Sequence, residues 1–326
     1  MGQSSSEFDL IHQYFQLGVP SHWPSQGIGD DCAIVQIGQT RLAITCDTAA
    51  IGTHFLPQAD PYTVGRKILA VNLSDLAAAG AVPRAFFLAI SLPENDPAWL
   101  SRFSLGLQQE ARRYQCALLG GDTTKTVSVN GTLAAPSMSI TAMGEVKKGL
   151  TRSGAKPGDD IWVSGTLGDA YTCLMSRWGR WSVPVTGHLA QRMDTPTPRV
   201  ELGQAIEPLA SAAADVSDGF LADLGHILER SGVSARVWAD AFAASEEVAA
   251  LSAHDRHQAQ LTGGDDYELV FTAPVKHRRA IAGLATEACP VTRVGEIVHA
   301  EHALTVLDRN QQLLSFDHLG FDHFED

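Results

Sequence analysis

Apolar residues along this chain form short runs that end at glycine and acidic residues. Two runs, 32–37 and 41–46, are separated by a Gly-Gln dipeptide, which predicts a pair of strands. The second strand should present Asp47 and Thr48 at its end. Further strands of the first half are predicted at 84–92, 116–119 and 132–146, the last of them bent or placed at a sheet edge by Pro136.

The longest helical pattern begins after Asp60 and ends at Gly80. An Asp-Pro pair is typical of a helix start, because the Asp side chain caps the first turn and proline fits within it. Apolar positions occupy most sides of this helix, which predicts a buried element. The helix carries Lys67, Asn72 and Asp75, and a carboxylate in such a position needs a partner.

The second half repeats a rhythm of strand, glycine loop and helix. Strands are predicted at 161–164, 212–216, 267–272 and 291–296, and helices at 220–229 and 276–287. This alternation predicts a mixed sheet with helical cover. A basic, Gly/Pro-rich connector near residue 148 predicts two domains, 1–148 and 149–326. The segments 175–195 and 240–260 are expected to be irregular.

Acidic residues return at six places, each near the end of an apolar run or within the buried helix. They lie in the turn 27–31, at Asp47, at Asp75, at Asp122, and in the segments 215–219 and 263–266. Each could be an ordinary turn residue, since Gly and Asp favour turns. Neighbouring carboxylates, however, raise each other's pKa and destabilise a fold unless a cation lies between them. Because Mg²⁺ prefers carboxylate oxygens, the pattern indicates a magnesium site.

The segment 120–124 reads Gly-Gly-Asp-Thr-Thr and is predicted to follow the end of a strand. Its glycines would let a phosphate approach backbone N–H groups, while the acid can hold a metal. It is not a Walker A loop, which requires Gly-Lys-Ser/Thr at the start of a helix. In the connector, Arg152 is either a clamp on nucleotide phosphates or a solvated linker charge.

Composition narrows the class of protein. The 326 residues and 44% hydrophobic content suffice for two cores, and the formal net charge of −13 argues against nucleic-acid binding. Five widely spaced cysteines without a C-x-x-C pair indicate free thiols in a reducing compartment. No apolar run is long enough to cross a membrane. These features predict a cytoplasmic protein with neither a nucleic-acid nor a membrane partner.

Seven motifs occur in the order found in one known family. They are Gly-Ile-Gly-Asp-Asp at 27–31, Asp-Thr at 47–48 with His-Phe at 54–55, Ala-Val-Asn-Leu-Ser-Asp-Leu-Ala at 70–77, Gly-Gly-Asp-Thr-Thr at 120–124, Arg-Ser-Gly-Ala-Lys-Pro-Gly-Asp at 152–159, Asp-Val-Ser-Asp-Gly at 215–219 and Gly-Gly-Asp-Asp-Tyr-Glu-Leu at 263–269. Through them the chain resembles, over nearly its whole length, the thiamine-monophosphate kinase family of the aminoimidazole ribonucleotide synthetase superfamily.

The resemblance implies an enzyme that uses ATP and Mg²⁺ to phosphorylate thiamine monophosphate, giving thiamine diphosphate by direct in-line transfer. It also implies a two-domain α+β fold. In that fold, the N-terminal domain binds metal and ATP, and its sheet pairs across a homodimer into a barrel. The C-terminal domain completes the active-site cleft.

Roles for particular residues follow from the same resemblance. The expected ligands of several Mg²⁺ ions are Asp31, Asp47, Asp75, Asp122, Asp215 and Asp218. The expected ATP contacts are Gly121, Asp122, Arg152 and Ser217. The expected thiamine contacts are His54, Asp265 and Phe321.

Two positions depart from the family's pattern. Asp265 stands where the family usually has Glu, one methylene longer, which puts its direct contact with the substrate in doubt. Cys46 stands where Thr is common, so a hydroxyl ligand beside Asp47 is lost. Thr45 or a backbone carbonyl could replace that ligand.

Other functions remain open on the sequence. A phosphate oxygen is already ionised near neutral pH, so phosphoryl transfer to it needs no strong general base, and none is assigned. The nearest rival within the superfamily is a ligase acting on a purine precursor. The superfamily's selenium enzyme is disfavoured because no Cys or Lys nucleophile motif precedes Gly27, and its hydrogenase maturation factor because a terminal cysteine is lacking. A non-catalytic dimer that binds divalent cations is the alternative from another class.

Overall fold

The computed structural model describes residues 10–15, 25–26, 28–127 and 135–322. A π-helix covers Ile11–Phe15. The strands are β1 (Ser25–Gln26), β2 (Ala33–Ile37), β3 (Thr40–Ala50), β4 (Val82–Leu92), β5 (Ala117–Lys125), β6 (Ser137–Glu145), β7 (Asp160–Ser164), β8 (Ala212–Val216), β9 (Ser234–Trp238), β10 (Glu268–Ala273), β11 (Val291–Val298), β12 (Thr305–Leu307) and β13 (Leu313–Leu314). The α-helices are α1 (Pro61–Ala78), α2 (Pro97–Arg113), α3 (Asp169–Arg177), α4 (Gly187–Asp194), α5 (Val200–Ile206), α6 (Phe220–Ser231), α7 (Glu246–Ala249), α8 (Ala253–Thr262) and α9 (Arg278–Ala282).

The first sheet has six strands in the order β1-β2-β3-β6-β4-β5. Its neighbours are antiparallel except β4 and β5, which run parallel. Helix α1 packs on one face, where Leu69, Leu73 and Leu76 are buried with Phe86 of β4 and Ile140 of β6. Every residue of β5 is exposed, so this edge of the sheet is uncovered in the single chain.

The second sheet has seven strands in the order β13-β12-β9-β11-β7-β10-β8. Strands β7, β8 and β10 are buried at every position, which agrees with their mainly apolar sequences. Helix α6 packs on this sheet through Phe220 and Leu224. Trp162 and Phe271 belong instead to the core cluster that contains Leu69 of α1, so the two halves share a core. The chain is therefore an α+β protein built on two sheets.

Local sequence accounts for the position of α1. The Asp60 side chain accepts a hydrogen bond from the Tyr62 N–H at 3.0 Å, as expected of a cap. Helix α2 crosses so closely that a Cβ at Gly65 would lie 2.1 Å from the Phe103 carbonyl oxygen. A Cβ at Gly106 would meet the Tyr62 carbonyl oxygen at 1.9 Å. Both glycines are therefore required for the contact between the two helices.

One buried carboxylate anchors the predicted connector between the halves. Glu207 Oε1 accepts hydrogen bonds from the backbone N–H groups of Lys147, Lys148 and Gly149 at 3.1, 2.8 and 3.0 Å. Charge-assisted bonds of this kind are stronger than neutral ones, so the connector is held in one conformation. The domain boundary near residue 148 itself stays a prediction.

Several predicted elements are confirmed within one or two residues, including α1, α6 and β8, but others are wrong. Asp47 and Thr48 lie inside β3, because β3 pairs with β6 as far as Ala50. The segment 120–124 is part of β5 and not a loop. Extended pairing with a neighbouring strand thus overrides the local preference of Gly, Asp and Thr for turns.

The second half also differs from expectation. The predicted helix at 276–287 is reduced to a 3₁₀ turn and the five-residue α9. The segments expected to be irregular contain α4 and α7 and most of α8. The short strands β9, β12 and β13 were not predicted, since they take their register from neighbouring strands rather than from their own pattern.

Candidate active site

Three carboxylates from separate elements meet between the two sheets. Asp31 precedes β2, Asp75 lies on α1, and Asp215 lies on β8. Each offers an oxygen atom, and these atoms lie within 4.8 Å of one another. We call these three residues the acidic centre. The sequence predicted each of them as a metal ligand, and the fold brings them together from both halves of the chain.

Each member of the acidic centre has a fixed position. The Thr45 hydroxyl donates to Asp75 Oδ2 at 2.5 Å. The Arg152 guanidinium donates to Asp31 Oδ1 through Nε at 3.0 Å and through Nη2 at 2.6 Å. Asp215 is held by the pairing of β8 with β10. Arg152 therefore contacts the acidic centre rather than lying in a solvated linker.

Burial and mutual repulsion raise the pKa of these carboxyl groups. Burial, followed by the charge of Asp31, raises the pKa of Asp215 to about 8. Burial, followed by the charges of Asp47 and Asp215, holds the pKa of Asp75 well above its usual range. The pKa of Asp31 is also raised by burial, against the opposing effect of Arg152. One guanidinium does not neutralise this group, so a divalent cation among oxygen ligands fits the donor set.

Asp47 and Thr45 lie on β3 beside the acidic centre. Asp47 acts electrostatically on Asp75 and Asp215, and its backbone N–H donates to Asn72 Oδ1 at 3.3 Å. Asn72 is itself held through a bond from its Nδ2 to the Ile68 carbonyl at 2.9 Å. Strand β3 and helix α1 thus fix the same side of the site.

The loop 217–219 is shaped by a carboxylate that the sequence reading did not single out. Asp223 Oδ2 accepts hydrogen bonds from the N–H groups of Ser217, Asp218 and Gly219 at 3.1, 3.2 and 3.1 Å. Its other oxygen, Oδ1, is buried without a partner among the described residues. An Asp in the first turn of a helix that follows Ser-Asp-Gly is the signal that could have identified it.

Two further segments meet this loop. The Asp265 N–H donates to the Ser217 carbonyl at 2.7 Å, and the Phe321 N–H donates to the Asp218 carbonyl at 2.9 Å. The predicted nucleotide contact Ser217, the predicted metal ligand Asp218 and the predicted thiamine contacts Asp265 and Phe321 therefore lie side by side. The backbone of Asp265 has a positive φ of 73°.

His54 lies in the turn after β3. Its Nδ1 accepts a hydrogen bond from the Ala50 N–H at 3.1 Å. The side chain is half-buried.

Gly121 and Asp122 lie apart from the acidic centre. Thr48 pairs with Ser139, Ser139 with Ala89, and Ala89 with Asp122. Neighbouring strands are about 4.8 Å apart, so Asp122 is roughly 14 Å across the sheet from Thr48. Gly121 lies so close to β4 that a Cβ would meet the Leu88 carbonyl oxygen at 1.8 Å.

A second arginine adjoins the acidic turn. The Arg230 guanidinium on α6 packs against Gly29, where a Cβ would lie 3.1 Å from its Cζ. Gly29 also has a positive φ of 109°, a conformation that glycine adopts without strain. The sequence does not predict this contact of Arg230, because nothing local links it to residue 29.

This fold and site define a member of the AIR synthase related proteins. Profiles of that class match residues 29–146 (AIR synthase related protein, N-terminal domain) and residues 156–307 (AIR synthase related protein, C-terminal domain). Within the class, the chain is 43% identical to the thiamine-monophosphate kinase of Salmonella typhimurium strain LT2, over 98% of each chain. The chain belongs to the thiamine-monophosphate kinase family.

Solved structures agree with this assignment. The crystal structure of thiamine-monophosphate kinase from Stenotrophomonas maltophilia K279a is 43% identical, with a TM-score of 0.75, and the alignment covers 88% of this chain and 91% of that one. A relative in complex with AMPPCP and TMP is 28% identical, with a TM-score of 0.81, over 98% and 97% of the two chains. None of the described helices is long and apolar enough to cross a membrane.

Proposed function

We propose that this protein transfers the terminal phosphoryl group of ATP to thiamine monophosphate, giving ADP and thiamine diphosphate. The observation that carries the proposal is the acidic centre, placed between two sheets in a chain that matches thiamine-monophosphate kinases over 98% of its length. Both substrates are anionic, so a site lined by carboxylates can accept them only with metal ions as counter-charge.

Asp31, Asp75 and Asp215 hold Mg²⁺, with Asp47 beside them. Bound there, the metal would compensate the negative charge of the phosphates that must approach one another. Asp218 and Thr45 are the further proposed ligands at this centre. Asp122, which lies apart from the acidic centre, would hold a separate ion. Thr45 uses its hydroxyl hydrogen on Asp75, so its oxygen lone pairs are available.

Arg152, Ser217, Gly121 and Asp122 bind the nucleotide. Arg152 has five N–H donors, and its two bonds to Asp31 leave others for phosphate oxygens. Its guanidinium keeps its charge at all working pH values, which suits it to orient the triphosphate.

His54, Asp265 and Phe321 bind the thiamine monophosphate. Asp265 and Phe321 are tied to the same loop, so they can contact one ligand together. The accepting phosphate oxygen is already ionised, so the residues have to align it with the γ-phosphate rather than remove a proton from it.

The protein works as a homodimer in which the six-stranded sheets of two chains pair. Strand β5 exposes Leu118 by 51% and Leu119 by 62%, and neighbouring Phe87 of β4 is 38% exposed. An uncovered strand edge with apolar side chains is normally protected by another chain or element. This arrangement supports the barrel that the family resemblance implies.

The reaction can be tested directly. Purified protein is incubated with ATP and Mg²⁺, and with thiamine monophosphate, thiamine or an aminoimidazole ribonucleotide precursor in parallel, and products are identified by mass. We expect thiamine diphosphate, formed from the monophosphate alone. Formation of a purine intermediate, or no product from any acceptor, would contradict the proposal.

A further inference from the structure

Lys67 is a buried cation that no proposed step has used. It lies on α1, and its Nζ donates to Asp265 Oδ2 at 2.5 Å. The two side chains differ in exposure, 7% for Lys67 and 31% for Asp265. A ligand entering the cleft therefore reaches the carboxylate, while the ammonium group stays behind it.

The same helix carries both this cation and the acidic centre. Lys67 and Asp75 are eight residues apart, which places them about 12 Å apart along the helix axis and within about 80° around it. The Lys67–Asp265 pair therefore lies at the end of the cleft away from Asp75, next to the loop that Phe321 also contacts. This is the end proposed above for thiamine.

Asp265 depends on this pairing more than a longer side chain would. Its backbone is fixed by the bond to Ser217 and has a left-handed φ, so only two side-chain torsions set the carboxylate position. An aspartate reaches one methylene less far than the glutamate usual at this position. Contact with Lys67, together with a side-chain hydrogen bond of Tyr267, therefore holds the shorter carboxylate in place.

We infer that Lys67 is a positioning residue for the acceptor: it holds the Asp265 carboxylate in the pose that receives the cationic part of the thiamine compound. The inference rests on the proposed function and assigns Lys67 no direct contact with phosphate. Its charge also offsets that of Asp265, so that an acceptor carrying both a thiazolium cation and a phosphate meets a pocket that is not net negative.

The first test is Lys67→Met. Loss of this charge-assisted hydrogen bond leaves the Asp265 carboxylate with only the weaker side-chain hydrogen bond of Tyr267. KM for thiamine monophosphate should therefore rise about tenfold, while kcat and KM for ATP change less than about twofold. Lys67→Arg, which keeps the charge and a donor, should recover most of the affinity. An unchanged KM in Lys67→Met would overturn the inference.

A matched control lies on the same helix. Arg66 donates to Glu110 Oε2 of α2 at 2.7 Å, facing away from the cleft. Arg66→Met should lower the melting temperature and leave KM for thiamine monophosphate unchanged. A rise in KM equal to that of Lys67→Met would show that any lost ion pair on α1 has this effect, and would remove the support for a specific role.

The double variant Lys67→Met/Asp265→Asn separates action through Asp265 from direct action on the substrate. If Lys67 acts through Asp265, the double variant should have the KM of Asp265→Asn alone. A rise in KM equal to the product of the rises in the two single variants would contradict this. Removing both charges also leaves no buried ion unpaired, so this variant stays informative if Lys67→Met folds poorly. Wild-type turnover in the same assay tests the proposed function separately.

Discussion

Asp215 combines full burial with the nearby negative charges of Asp31 and Asp47, and burial, followed by the charge of Asp31, raises its pKa to about 8. Such a carboxyl group is kept for chemistry rather than for stability, because an apolar residue of similar size would cost the fold less. Asp31 and Asp75 are also buried, and burial raises the pKa of both carboxyl groups.

The titration of Asp215 predicts how stability depends on pH in the metal-free protein. The folded protein keeps this proton up to about pH 8, whereas the unfolded chain loses it near 3.8. The free energy of unfolding should therefore fall as pH rises through this window, by at most about 1.4 kcal/mol per pH unit for this group. Denaturant unfolding in EDTA across the window measures the slope.

Asp215→Asn provides the comparison. It cannot ionise, so the slope should be flatter and the metal-free variant more stable than wild type at the alkaline end. An equal or steeper slope in the variant would mean that Asp215 is ionised throughout, in conflict with the raised pKa.

At the residue scale, the motifs of the sequence predicted every member of the acidic centre. The sequence could not predict that Lys67 pairs with Asp265, because 198 residues separate them. Nor could it predict the bonds of Asp223 to three backbone N–H groups, since these depend on the shape of the loop. The residue types indicate which side chains can bind a metal. The hydrogen-bond partners of a side chain depend on tertiary packing, which the sequence does not show.

At the scale of elements, the loop 217–219 depends on Asp223. Asp223→Ala removes three hydrogen bonds and should cost about 1–3 kcal/mol of unfolding free energy. Because the loop contains Ser217 and Asp218, we also expect a higher KM for ATP. Denaturant unfolding and steady-state kinetics measure the two effects.

Asp223→Asn keeps an oxygen acceptor at the same place and serves as the control. It should retain more stability and a lower KM for ATP than the alanine variant. Equal losses in the two variants would indicate that charge, rather than the geometry of the loop, is what Asp223 supplies.

The elements themselves were predicted where a cap or an apolar run decides the outcome. Helix α1 has the Asp60 cap, and β8 is a buried run, so both were found from local sequence. The sequence predicts a strand that ends at residue 119, because the Gly-Gly-Asp-Thr-Thr segment favours turns. Parallel pairing with β4 extends β5 to Lys125. Pairing with β4 therefore determines that Gly121 and Asp122 lie in a strand.

At the scale of the whole molecule, the uncovered edge at β5 predicts an oligomer. Leu119→Lys places a charge in the proposed interface, where burying it is costly, and should shift the protein towards monomer. Sedimentation velocity measures the change. Leu105→Lys on the exposed surface of α2 is the matched control, and it should leave the oligomeric state unaltered. A monomeric wild-type protein with full activity would contradict the dimer.

We propose that the acidic centre binds the divalent cation on which phosphoryl transfer depends. This proposal is tested most directly by measuring thiamine diphosphate formation against Mg²⁺ concentration for wild type and Asp75→Asn, after circular dichroism has established that both are folded. We predict saturable dependence on Mg²⁺ in wild type and turnover lower by at least about a hundredfold in the variant. Wild-type turnover in Asp75→Asn at every Mg²⁺ concentration would contradict the account.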